Sequence, residues 1–199
     1  MTIRLIGFSL AALVAVTIPT TAANYDIDTK GGHASIGFRV SHLGFSWLVG
    51  RFDKFSGTFS YDEKNPSGAK VAVEIDTASI SSNHAERDKH LRAADFLDTA
   101  KFPKATFVSR SVTPTSAGKA EIAGDLTLRG ITKPVTLAAE YVGGGSDPWG
   151  GNRLGFTGKA KLVLADFGIV RDLGPSAKEV ELDLHVEGVR NEASGAVHR

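Results

Sequence analysis

His84 and Asp88, and likewise Glu86 and His90, stand four residues apart within the stretch running from Asn83 to Asp98. On a helix that spacing places two metal-ligating groups on one face. Each pair supplies only two ligands, however, and Asp88 with Arg92 makes an ion pair at the same spacing. A solvated, ion-paired face is therefore the favoured reading. A metal or haem site using His84, His90 or His42 is kept as an alternative.

Nucleophilic chemistry finds less support. The chain has no cysteine, which removes thiol catalysis, thiolate metal sites and disulfides together. No Gly-x-Ser-x-Gly elbow is present. Asp166-Phe167-Gly168 matches a kinase triplet, but no glycine-rich loop or strand lysine accompanies it. The Gly143–Gly151 run lacks the Lys-Ser/Thr pair of a phosphate loop and reads as a hairpin connection. An acid–base role for His42 or His90, in an enzyme acting on a lipid or quinone, is the second alternative.

The elements that must position these residues are strands. Ile36, Phe38 and Val40 alternate with polar or small neighbours; so do Val71, Val73 and Ile75; Val135, Leu137, Ala139 and Tyr141; Phe156, Ala160 and Leu162; and Val180, Leu182, Leu184 and Val186. Period-2 alternation gives antiparallel strands with one buried face. Turn signals at Asn65–Gly68, Pro114–Gly118, Arg129-Gly130 and Gly143–Gly151 separate them. About eight strands result, an all-β fold that closes as a barrel. Glycines inside the strand patterns, Gly37, Gly50, Gly57, Gly124, Gly155 and Gly158, predict bends or bulges in the closed sheet.

The stretch beginning at Asn83 breaks this period. Asn83 as N-cap, with Glu86 three residues later, predicts one short helix over His84–Ala94 lying at the rim of the barrel. Residues 1–23 carry Arg4, an apolar run from Leu5 to Val16, Pro19 and then small residues, the pattern of a secretory leader cut after Ala23. That run is short for a bilayer span, so an exported domain over residues 24–199 without stable membrane insertion is expected. Without Arg4 the remainder holds 22 basic and 22 acidic residues. A neutral chain with no basic block is a poor match for nucleic acid.

Apolar capacity is what remains. Ten phenylalanines and two tryptophans follow residue 23, and an eight-stranded barrel is just wide enough to be filled by side chains or to hold one ligand.

Several blocks then resemble a known family. His33–Gly44 with Phe45-Ser46 and Gly50-Arg51-Phe52, Asn83–Arg92 with Asp95–Asp98, Gly124–Val135, and Asp166–Ile169 are together similar to the blocks of the YceI-like family, in order along the chain. The resemblance implies a lipocalin-like barrel, exported to the periplasm and often dimeric, that encloses a polyisoprenoid such as an isoprenoid quinone or prenyl phosphate, or a fatty-acid derivative, without catalysis. No cofactor beyond such a bound lipid is implied. On that reading Phe38, Val40, Phe45, Trp47, Phe52, Phe96, Leu97, Phe102, Phe107, Phe156 and Phe167 line the pocket. His42, Asn83, Arg87, His90 and Asp166 then form a polar rim, either for a head group or for a network that pins the lid. Relatives often carry an arginine just before the Asp-Phe-Gly block. Leu164-Ala165 stand there in this chain, which favours a neutral quinone or amide head over a charged diphosphate.

Overall fold

The computed structural model describes residues 22–191. The leader reading therefore falls almost wholly outside the described residues, and Ala23 already opens the first strand. Eleven strands and one α-helix follow: β1 (Ala23–Ile27), β2 (Ser35–His42), β3 (Ser46–Phe52), β4 (Phe55–Tyr61), β5 (Lys70–Asp76), β6 (Ile80–Ser81), α1 (Ala85–Leu91), β7 (Lys104–Ser116), β8 (Lys119–Leu128), β9 (Ile131–Ser146), β10 (Asn152–Val163) and β11 (Glu179–Arg190).

Eight of them close the barrel. Strands β1, β4, β5, β7, β8, β9, β10 and β11 pair antiparallel in that order, and β1 pairs back onto β11. The other three extend interrupted strands. β11 pairs with β1 at its C-terminal end (Gly188 to Arg190) and with β2 along its first half (Val180 to His185), so β1 and β2 together make one barrel strand broken by residues 28–34. β3 and β4 make the next, broken at Asp53-Lys54, and β5 and β6 a third. Full closure removes most of the exposed edges that an open sheet leaves.

At the end where β10 finishes, the wall opens out. There β6 has no pairing with β7, and α1, the following loop and a 3-10 turn at Leu164–Phe167 fill the space. This is called the helix end below. Phe96 and Leu97 from that loop are buried there with Ile80 and Ile169.

The alternating apolar sets lie on the inner face as their pattern requires. Cross-strand partners such as Phe38 and Leu182, Ile36 and Leu184, or Phe59 and Val71 share that face. Many of these residues are nevertheless only half-buried, Leu182, Leu184, Val186, Phe38, Val40 and Ala160 among them. A close-packed interior would cover them. Their residual accessibility in mid-wall means that the bore contains unfilled space.

Two glycines explain how phenylalanines line such a bore without plugging it. A Cβ on Gly50 would fall 2.3 Å from the Phe38 ring, and one on Gly124 2.5 Å from the Phe107 ring. The tip of each ring thus reaches a neighbouring strand where only a glycine permits the approach. At Gly50 the glycine serves as a seat for a ring with no register shift beside it, whereas Gly124 does border a bulge, the register shift between Ser109 and Ser111 on β7. A register irregularity does occur between Gly155 and Phe156.

Candidate functional site

Three groups of side chains define the bore. At the helix end, Ile80, Phe96, Leu97 and Ile169 are buried, with Phe38 and Phe52 packed against them and their two rings tilted 5.9 Å apart. Deeper lie Phe107, Leu126, Leu137, Leu162 and Phe167. At the opposite end, Tyr25 stacks on Phe59 at 4.9 Å, and Phe156 meets Phe59, Tyr61 and Tyr141 edge-on at 5.4–5.6 Å. Burial first, and then Glu63, push the Tyr61 phenol above its usual pKa. The inner surface is therefore apolar along its length and aromatic at both ends.

Several expected lining residues take these places. Phe38, Val40 and Phe52 lie on the inner face of β2 and β3, while Phe96, Leu97, Phe107 and Phe167 are buried. Phe156 is half-buried among the far aromatics. Phe102 is half-buried beside the β8–β9 turn, its ring 2.7 Å from where a Cβ on Gly130 would lie.

Two placements need correction. Phe45 sits at the tip of the β2–β3 hairpin with 86% of its surface exposed. Trp47 lies on the outer face, opposite Ser41, with the Arg39 guanidinium 4.5 Å over its ring. Strand parity decides this. Phe52, Gly50 and Leu48 pair with the inward Ile36, Phe38 and Val40, so Trp47 and Val49 must point out.

The polar rim residues divide. His42 ends β2 and is exposed near the hairpin tip. Asn83 is not the helix cap: it adopts a left-handed conformation at φ 60°, and His84 caps α1 by accepting the Arg87 N–H on Nδ1 at 3.2 Å. The helix is also shorter than the sequence suggested, Ala85–Leu91.

Arg87 donates to Ser82 Oγ at 2.8 Å and to the Ser82 carbonyl at 2.5 Å, while Ser82 donates both its N–H and its hydroxyl to the buried Asp88. Burial alone would raise the Asp88 pKa. The two Ser82 bonds, with Arg92 and Arg87 nearby, hold it below the usual carboxylate range instead. Arg92 donates to the Ala78 and Ile80 carbonyls at 2.7 Å rather than pairing with Asp88 through its side chain. His90 lies 3.1 Å from Asp95, which also accepts from Arg171. Asp166 is exposed. Most of the charge in the central stretch thus fastens α1 and its loop to β6 and to the segment after the 3-10 turn.

The three histidines weighed as metal ligands are not brought together. His84 caps the helix, His90 faces Asp95 and His42 lies on the hairpin. Another trio, Asp28, His33 and Glu187, has ligand atoms within 4.8 Å of one another. Arg153 occupies it. One guanidinium nitrogen donates to Asp28 at 2.8 Å and to Glu187 at 2.6 Å, and its Nε donates to Asp147 at 2.6 Å.

This clamp joins the β1–β2 loop, the β9–β10 loop and β11 at the end opposite α1. The Arg153 bond, followed by those from His33 and the Gly31 N–H, holds the Asp28 carboxyl far below its ordinary value of 3.8. A depressed carboxylate contributes stability that is complete above the ordinary value and is lost as pH falls through the folded-state value. The thermal midpoint is therefore expected to drop progressively as pH falls below the ordinary value of 3.8, and to drop less steeply in Asp28→Asn. A scan of unfolding temperature against pH checks this; parallel curves for the two proteins would contradict it.

The outer wall offers little by comparison. A shallow depression over Gly57, bordered by Asp26, Thr58, Glu74 and Thr106, is open to solvent. It encloses nothing.

Residues 25–188 match the YceI-like domain. The chain belongs to that family. It is 56% identical over 187 residues to the Protein YceI of Salmonella arizonae, spanning 94% of this chain and 97% of that one. Among solved structures, BcnA of Burkholderia cenocepacia superposes with a TM-score of 0.71 at 23% identity, over 81% of this chain and 98% of BcnA. A polyisoprenoid binding domain from Saccharophagus degradans superposes with a TM-score of 0.59 at 16% identity, over 86% of this chain and the whole of that domain. Those two likenesses concern the fold. The YceI-like domain spans the barrel from β1 to β11, so wall, helix end and clamp all lie within it. Among the described residues no helix is long and apolar enough to cross a membrane.

Proposed function

We propose that this YceI-like protein is an exported, periplasmic carrier that encloses one long amphiphile, a polyisoprenoid, an isoprenoid quinone or a fatty-acid derivative, and performs no chemistry on it. The observation that carries this reading is the half-buried apolar inner face: a closed wall whose Leu182, Leu184, Val186 and Ala160 keep accessible surface. Phe38, Val40, Phe52, Phe107 and Phe156 are the residues that would meet the chain on that face. Each methylene removed from water contributes about 0.8 kcal/mol before ordering costs, so a chain of tens of carbons binds without strong polar contacts. The fold shared with a polyisoprenoid binding domain is compatible with this.

The polar residues support the same reading. Arg87, Asp88, Arg92 and Ser82 are engaged in holding α1, and His90 is engaged with Asp95. A general acid–base group needs a substrate proton within hydrogen-bond reach, and His42 on its hairpin faces no second catalytic group among the described residues.

The test is uptake. Protein incubated with vesicles containing a long-chain isoprenoid quinone and then separated by gel filtration is expected to carry the quinone near one per chain. Failure to take up a quinone, a prenyl alcohol or a fatty amide would remove the carrier reading.

A further inference from the structure

The β2–β3 hairpin outgrows the barrel at the helix end. β11 pairs with β2 only as far as Val40, and β6 meets β3 only at Arg51 and Phe52. Beyond Val40 the pairs Ser41–Trp47 and His42–Ser46 have no third strand beside them. The Phe45 N–H closes the turn by donating to the His42 carbonyl at 2.9 Å. Leu43 and Gly44 make the turn at φ 54° and 78°, in the left-handed region. Glycine and asparagine suit that region, and a leucine there is strained.

What this projection carries is apolar. Solvent reaches 55% of Leu43, 86% of Phe45, 50% of Trp47 and 65% of Val49. None of the four belongs to the three packed groups of the bore, so the core does not account for them. A strained leucine beside a bare phenylalanine strengthens no packing and lowers solubility. Such a feature marks a contact surface.

The order of residues along the hairpin identifies the partner. Leu43 and Phe45 are at the tip, and the Trp47 indole stands further back, on the pair it shares with Ser41. The Arg39 guanidinium lies behind that, 4.5 Å over the indole and held by Glu181. Apolar groups first, then an indole, then a cation is the order in which a bilayer offers hydrocarbon, interface and phosphate. Size points the same way. Four such side chains present on the order of 500 Å², whereas a stable interface with a second copy buries about 800 Å² on each partner.

We propose that the β2–β3 hairpin is a membrane-docking element, which inserts Leu43 and Phe45 into the head-group boundary of a phospholipid bilayer with Trp47 and Arg39 at the surface. The paired backbone behind the tip meets the requirement for entering an apolar layer. Phe38, Val40 and Leu48 are on the inner face of the same hairpin, so docking turns the helix end of the bore toward the bilayer. The inference stands on the exposed tip and does not rest on the carrier reading.

The chain's two tryptophans provide the test, because Trp149 lies in the β9–β10 loop at the opposite end. Trp149→Phe and Trp47→Phe, each with one indole left, are titrated with vesicles of phosphatidylethanolamine and phosphatidylglycerol. The emission of Trp47 is expected to shift to the blue and that of Trp149 to stay unchanged. In vesicle flotation, Phe45→Ser is expected to lower the partition coefficient by about tenfold or more, the effect of leaving one phenylalanine in water, with the thermal midpoint unchanged. A blue shift of Trp149 alone, or a partition that Phe45→Ser leaves intact, overturns the assignment. So does a wild-type protein that stays off vesicles, including one in which Phe45→Ser instead converts a sedimenting dimer to monomer.

Discussion

Phe167→Ala is expected to destabilise the protein by about 3–5 kcal/mol, the usual cost of deleting a buried phenylalanine ring. Phe167 is 2% exposed and is packed with Phe107, Leu126, Leu137 and Leu162, so the truncation deletes a fully covered ring. The residue is delivered by the 3-10 turn Leu164–Phe167, which stops at Gly168 in a left-handed conformation, φ 72°. The turn is in turn held by Arg129 on the Gly168 carbonyl. At about 2–4 °C per kcal/mol for a domain of this size, the thermal midpoint falls on the order of 10 °C. Chemical denaturation should show the lost stability as a lowered midpoint with unchanged slope. A loss below about 1 kcal/mol, the range of surface substitutions, would mean that Phe167 is not a structural plug.

Ala160→Trp is expected to abolish lipid uptake while leaving a folded barrel. Ala160 faces the bore from β10, opposite Leu182 on β11, and is half-buried where it packs against the group of Phe107 and Leu162. An indole placed there occupies the volume proposed for the chain. Overpacking costs about 1–3 kcal/mol where a core is already full, and less where space is open. Uptake of a long-chain quinone should fall at least tenfold, equivalent to about 1.4 kcal/mol, with far-UV circular dichroism unchanged. Normal uptake by a folded Ala160→Trp protein would place the ligand elsewhere.

The wall was legible in sequence because period-2 alternation is local. Val180, Leu182, Leu184 and Val186 announced their face without any partner in view, and β11 places all four inward. The position of the helix and its role as a fastening were legible too, but its cap was not. Asn83 has the right chemistry for an N-cap, yet it takes the left-handed turn before the helix and leaves the capping to His84 Nδ1.

Phe45 and Trp47 were misplaced because their inward or outward sense depends on where the β2–β3 hairpin turns. A one-residue change of register reverses every side chain. The Arg153 clamp was not legible in the sequence at all. Asp28 lies 125 residues from Arg153 and Glu187 lies 34 from it, and these groups meet only when the barrel closes.

The central claim is that the bore holds one long amphiphile, and the most direct measurement is mass spectrometry of an organic extract of the protein, purified without detergent from its native cells. The account predicts a single class of prenyl or acyl species near one per chain, lost from the Ala160→Trp protein prepared in the same way. An extract with no stoichiometric lipid, from a protein that also takes none up in vitro, would contradict it and make the barrel a scaffold for its outer surface.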